Sequence, residues 1–283
     1  PITDLRPMTT DALPVTIIEP RRGWQALELD QLWRYRHLLW MFMVRDIKAA
    51  QKQTVLGFFW IIISPLVSVA MMTVVFGQML SVPSDGFPYP IFLFAGQFLW
   101  GQFSGAFTGA TNSVVSQGTL IQKVYIPRLF YPISAALSGL LNICIVFPLI
   151  LIVMVILGTP PLWTVVFCPL IIILVLATAL GIGLWLAPLN VTYRDVGRIA
   201  GYLLTLGMYA TPVIYPVTVL PERYRWIMAF NPLAGYIEAF RACLYGAPCD
   251  PQLLISAIAF TALVLVSGAF FYTRLAGRFA DVI

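Results

Sequence analysis

Residues 164–188 read TVVFCPLIIILVLATALGIGLWLAP, with no Asp, Glu, Lys, Arg or His anywhere in the run. As a helix rising about 1.5 Å per residue, such a segment is longer than the roughly 30 Å of hydrocarbon in a bilayer. It is also far too long for one buried strand. Charge returns immediately outside it, at Arg194 and Asp195. Working outward, five further stretches repeat the pattern, at 55–80, 90–116, 130–158, 197–218 and 252–273. Arg198, at the lip of the fifth, belongs with the loops.

Composition agrees with a chain solvated by lipid. Of 283 residues, 60% are hydrophobic and only 10% charged, with a mean hydropathy of +0.87, so too little polar surface exists to clothe a water-soluble globule. The net charge of +5 does not indicate nucleic acid, because the cations lie on an N-terminal arm and on loops. If the N-terminus is cytoplasmic, Arg6, Arg21, Arg22, Arg34, Arg36, Arg45, Lys48, Lys52, Lys123, Arg128, Arg194, Arg198, Arg274 and Arg278 share its side, and only Arg223, Arg225 and Arg241 lie opposite. This asymmetry predicts both termini in the cytoplasm. The first 30 residues lack the apolar core of a signal peptide.

The expected fold is all-α and membrane-integral: a cytoplasmic tail over 1–30, an amphipathic interfacial helix over 31–53, and a six-span domain over 54–283. In the interfacial helix Leu32, Tyr35, Leu39, Phe42, Met43 and Ile47 recur at helical spacing, opposite Arg34, His37, Arg45, Lys48 and Lys52. Arg36 and Asp46 interrupt the apolar side, and packing on a partner is the alternative reading. Residues 219–250 mix Pro221, Glu222, Arg223, Arg225, Asn231 and Pro232 with apolar runs too short to span. They read as re-entrant or interfacial outer helices, or as a plain outer hairpin.

Chemistry is sparse. The spans hold no ionisable relay of the kind ion-coupled pumps use. No Gly-rich loop ends in Lys-Ser or Lys-Thr to hold a nucleotide, so ATP chemistry would have to come from another chain. His37 is the lone histidine and Cys144 and Cys168 lie in apolar spans, so no catalytic or metal site is expected. Cys243 and Cys249 are placed to pair in an oxidising compartment, which spacing alone leaves open. The spans do carry neutral polar and aromatic lining. Gln97, Trp100, Ser104, Thr108 and Asn112 share one helical face, and Tyr202, Thr205 and Tyr209 share another. Rings beside hydroxyls suit a sugar, whose C–H face stacks and whose hydroxyls hydrogen-bond. Helix packing explains them too, and Gly101, Gly105 and Gly109 favour packing for the first stripe.

Several motifs in order then resemble one family. Ile18-Glu19-Pro20-Arg21-Arg22-Gly23-Trp24, Leu32-Trp33-Arg34-Tyr35-Arg36, Arg45-Asp46-Ile47-Lys48, Lys52-Gln53-Thr54-Val55-Leu56-Gly57, Leu120 through Arg128, Asn190 through Val196, and Pro221 through Trp226 with Asn231-Pro232 are similar to polysaccharide-exporting ABC-2 permeases. Those are the membrane subunits of bacterial O-antigen, capsule and teichoic-acid exporters. The resemblance implies a homodimer in the bacterial inner membrane, joined to two copies of a separate ATPase that binds ATP and Mg, and moving a lipid-linked polysaccharide. It also implies a coupling loop at Gln122, Lys123, Val124, Tyr125, Pro127 and Arg128, and a lipid-head-collecting gate helix with Arg34, Arg45, Lys48 and Lys52. Tyr202, Thr205 and Tyr209 would line the polysaccharide channel. The family often has Arg-Tyr before Lys-Gln-Thr, where this chain has Ala50-Gln51, so any pyrophosphate contact falls to Arg45, Lys48 or Lys52. The alternatives are an ABC-2 permease for a drug or small lipid and a membrane glycosyltransferase; the latter ordinarily needs clustered loop carboxylates, and here they are scattered.

Overall fold

A computed structural model describes residues 36–51, 59–118 and 126–276, and every regular element among them is helical. In chain order these are α1 (Arg36–Gln51), α2 (Phe59–Met72) continued by a π-helical run Thr73–Met79, α3 (Tyr89–Ser116), α4 (Phe130–Leu137) and α5 (Leu140–Ile156). A 3₁₀ turn Trp163–Phe167 leads into α6 (Cys168–Thr192), followed by α7 (Asp195–Ala210), α8 (Glu222–Arg225), α9 (Pro232–Tyr245) and α10 (Pro251–Ala276). Among the described residues, four stretches are long and apolar enough to cross a membrane: Phe59–Met79, Phe130–Ile156, Trp163–Thr192 and Pro251–Ala276.

Two expected spans take other forms. The helix α3 has 28 residues, or about 42 Å, and no charge, but Gln97, Gln102, Thr108, Thr111 and Asn112 make it less apolar than those four. The helix α7 ends at Ala210 rather than reaching 218, and its 16 residues cover about 24 Å. Local chemistry explains the stop: Thr211 precedes Pro212, which disfavours the helical conformation, and Thr211 is extended at φ −97°, ψ 143°. The stretch expected to span 130–158 is interrupted between α4 and α5 at Ser138–Gly139, where the Ser138 hydroxyl donates to the Ala135 carbonyl at 2.7 Å.

Helix starts follow proline. Pro90, Pro169, Pro232 and Pro251 each sit in the first turn of a helix, where the missing N–H is no loss. The bounds of α9 are written especially clearly. The Asn231 side chain accepts from the Leu233 N–H at 3.1 Å, and Gly246 closes the far end in the left-handed conformation at φ 79°.

The core is deepest where α9 meets α3, α5 and α6. Ile91, Phe92, Leu93 and Phe94 pack there with Ile150, Met154, Val175, Tyr236, Ile237 and Phe240. The pairing of α6 with α10 needs small residues, since a Cβ on Gly181 would lie 2.8 Å from the Leu265 nitrogen. Buried hydroxyls tie the same helices together: Thr261 lies 2.7 Å from Thr178 and 2.6 Å from Tyr236, Oγ1 to hydroxyl. By contrast α2 presents Phe59, Trp60, Val67 and Met71 outward, as a lipid-facing helix does.

Candidate translocation surface

Only Ala200 of α7 is buried. Tyr202 is 67% exposed and Tyr209 58%, and Thr205 between them is also exposed, its hydroxyl donating to the Gly201 carbonyl at 3.2 Å. Helical spacing therefore puts the three on one open face, which carries the exposed Asp195–Arg198 pair at its first turn. The neighbouring helix α3 continues that surface. Trp100 lies over Gly207, where an added Cβ would meet the indole at 3.2 Å, and the exposed Gly101 and Gly105 would meet nothing described within 4 Å. Gly109 alone of the three expected packing glycines seats a helix here, since an added Cβ would lie 2.9 Å from the Ala135 carbonyl oxygen. Behind α7 a cavity of about 560 Å³ is walled by Phe103, Phe107, Ile182, Leu203 and Phe260.

Polar fastenings hold both ends of α7, and sequence reasoning had assigned neither. At its first turn the Gly197 N–H donates to Asn190 Oδ1 at 2.9 Å. The Asn190 amide in turn donates to the Thr111 carbonyl at 3.2 Å and to Asn112 Oδ1 at 2.9 Å. Asn112 closes the chain by donating to the Thr108 carbonyl at 3.0 Å. Past its last turn, the Arg241 guanidinium donates to the carbonyls of Pro212 (2.9 Å), Val213 (2.8 Å) and Phe92 (3.1 Å), and stacks on the Phe92 ring at 3.4 Å. Asn231 donates to the Thr211 hydroxyl at 2.9 Å, and the Tyr89 hydroxyl to the Ile214 carbonyl at 2.9 Å. Arg241 is 2% exposed; the sequence placed it only as an outer-side cation. Nearby, burial raises the Glu238 carboxyl above its ordinary pKa, against the opposing pull of the Asp250 N–H that donates to it at 3.3 Å. Cys243 and Cys249 carry free thiols.

The helix α1 meets the start of α4 and the residues just before it at one corner. Leu38, Leu39 and Phe42 of α1 pack on Ile126, Phe130 and Tyr131, with Phe42 edge-on to Phe130 at 5.8 Å between ring centres. Arg45 is exposed, its guanidinium 4.5 Å from the Phe42 ring centre, while Trp40 and Met41 point outward. Pro127 is buried, and the Arg128 carbonyl accepts from the Tyr272 hydroxyl at 2.9 Å. Gln122, Lys123, Val124, Tyr125, Arg34 and Lys52 lie outside the described residues, as does the side chain of Lys48. Among the described residues no group of His, Cys, Asp and Glu is arranged to hold a metal.

The described residues thus form an all-helical body with four spans apolar enough for a membrane and one open face of rings and hydroxyls. Residues 37–245 match the family model described as ABC-2 type transporter, and the chain belongs to that family. It is similar to the O-antigen export system permease protein RfbA of Myxococcus xanthus, with 32% identity over 249 residues, covering 85% of this chain and 94% of the relative. It is also similar to two proteins of the same name from Klebsiella pneumoniae, at 29% and 28% identity, each covering 87% of this chain and 95% of the relative. The chain is accordingly a permease subunit, and the ATPase of such a transporter is a separate subunit.

Proposed function

We propose that this chain is the permease of a bacterial inner-membrane exporter for a lipid-linked, O-antigen-like polysaccharide. The observation that carries the reading is its similarity to O-antigen export permeases from two organisms, covering 85–87% of the chain. The geometry supports it, because Tyr202, Thr205 and Tyr209 offer rings and hydroxyls on one exposed face. Such a face holds sugars weakly and repeatedly, as a sliding polymer requires.

In this reading the permease is a homodimer with two ATPase copies that bind ATP and Mg. Six spans cross the bilayer, α3 and α7 joining the four most apolar stretches, and both termini are cytoplasmic. The short α7 is completed by the turn at 211–216. Arg241 satisfies carbonyls of that turn, and irregular backbone is tolerated at membrane depth only where it is so satisfied. Residues 219–250 form re-entrant outer helices. Gln122, Lys123, Val124, Tyr125, Pro127 and Arg128 receive the ATPase, and the contact of Phe42 with Phe130 passes their motion to α1. On α1 and its flanks, Arg34, Arg45, Lys48 and Lys52 attract the lipid phosphate, each contributing about 1 kcal/mol near an anionic surface. ATP binding shifts the spans between two states because docking differs between them.

Two measurements test this. Reversal of Lys123 or Arg128 to Glu should abolish surface polysaccharide and weaken ATPase copurification; normal values of both would remove the coupling assignment. Tyr202→Ala with Tyr209→Ala should cut export several-fold at unchanged thermal stability, because both side chains are exposed. Wild-type export would remove the channel assignment.

A further inference from the structure

Resting on that reading, we propose that Asn190 is a positioning residue that sets where the first turn of α7, and with it the tyrosine face, stands against α3. Asn190 is 4% exposed and belongs to α6, yet its amide group reaches two other helices at once. Its oxygen takes the Gly197 N–H, one of the orphan donors at the start of any helix. The local N-cap, Arg194, makes no side-chain cap of its own. The Asn190 nitrogen donates both to the Thr111 carbonyl and to Asn112 Oδ1 on α3. One planar amide therefore fixes the height and rotation of α7 relative to two neighbours.

Three observations make this more than an isolated hydrogen bond. Gly197 is required by the contact: a Cβ there would lie 2.8 Å from Asn190 Oδ1 and 3.0 Å from Asn112 Oδ1. Little else seats this part of α7, since the cavity of about 560 Å³ lies behind Val196, Ala200 and Leu203. And Asn190 stands five residues before Asp195, at the end of α6 that turns into α7, so movement of that loop acts on the node directly. Apolar packing that would hold α7 is thin here, and the amide supplies the registration instead.

The test uses the full chain with its ATPase in nanodiscs, native cysteines replaced, and spin labels at the exposed positions Val115 on α3 and Ile199 on α7, diluted with unlabelled chain. The unsubstituted protein should give a narrow label-to-label distance distribution. Asn190→Ala and Gly197→Ala should each broaden it and lower polymer exported per ATP hydrolysed roughly tenfold, as expected for buried hydrogen bonds lost at one site. The double variant should be no worse than Asn190→Ala alone, because removing the amide clears the closer contact and releases the Asn112 side chain to turn from the new Cβ. A distribution unchanged in Asn190→Ala, or effects of the two substitutions that simply add, overturns the proposal. Where Asn190→Ala gives no stable complex, Gly197→Ala and Asn112→Ala carry the same two readouts. If the tyrosine variants export normally while Asn190→Ala still broadens the distances, the polysaccharide-path reading fails and the positioning role of Asn190 stands.

Discussion

The two ends of α7 are fastened by different chemistry. At the first turn the fastening is a neutral amide, Asn190; beyond the last turn it is a buried guanidinium, Arg241, whose hydrogen bonds all run to backbone carbonyls. A neutral amide can exchange partners, or take a water, at modest cost. A guanidinium that lets go of its carbonyls inside an apolar core leaves a bare charge, which costs several kcal/mol. One end of α7 is therefore suited to move and the other to stay, and the movable end adjoins the loop leading out of α6.

That contrast can be broken most sharply at Arg241. Arg241→Leu should cost at least about 3 kcal/mol, seen as a large fall in thermal stability of the detergent-purified protein, because three carbonyls lose their donors in the core. Lys should not rescue it, having neither the planar fork nor the reach to serve α3 and the 212–213 turn together. A smaller effect is expected at Gly96, where a Cβ would lie 2.8 Å from both Arg241 Nη2 and the Val213 carbonyl; Gly96→Ala should cost about 1–3 kcal/mol by overpacking. Smaller again is Asn231→Ala, which loses the cap of α9 and the tie to Thr211, at about 1 kcal/mol in the same melting experiment. Smallest should be Asn112→Ala at the other end, since Thr111 still accepts from Asn190; a shift below about 1 kcal/mol should accompany a measurable change in export per ATP. A melting loss at Asn112 as large as that at Arg241 would erase the distinction between the ends.

Much of this architecture was legible in the residues. The expected run 90–116 emerged as Tyr89–Ser116 and 252–273 as Pro251–Ala276, because charge-free length and first-turn prolines are local signals. The end of α7 at Ala210 was equally local, written in Thr211-Pro212, but the apolar run to 218 outweighed it. That Tyr202, Thr205 and Tyr209 share a face followed from spacing; that the face stands open did not, because helix packing accounted for the same residues. Asn190 and Arg241 did not, for a physical reason. Their partners lie 78 and 149 residues away at Asn112 and Phe92, and periodicity reports which face of a helix a residue occupies, not what stands opposite. The one available hint was Arg241 itself, a cation inside the otherwise apolar run AFRACLY.

The charges of α7 are Asp195 and Arg198, and they pair with each other at 3.4 Å in its first turn. A charge that crosses a bilayer feels about 2.3 kcal/mol per 100 mV of membrane potential. A helix carrying no net charge feels no net pull from a uniform field, which acts on its dipoles only as a torque. In the proposed exporter the voltage across the membrane therefore does not draw the tyrosine face inward or outward, and displacement along the membrane normal is left to the loop at its end.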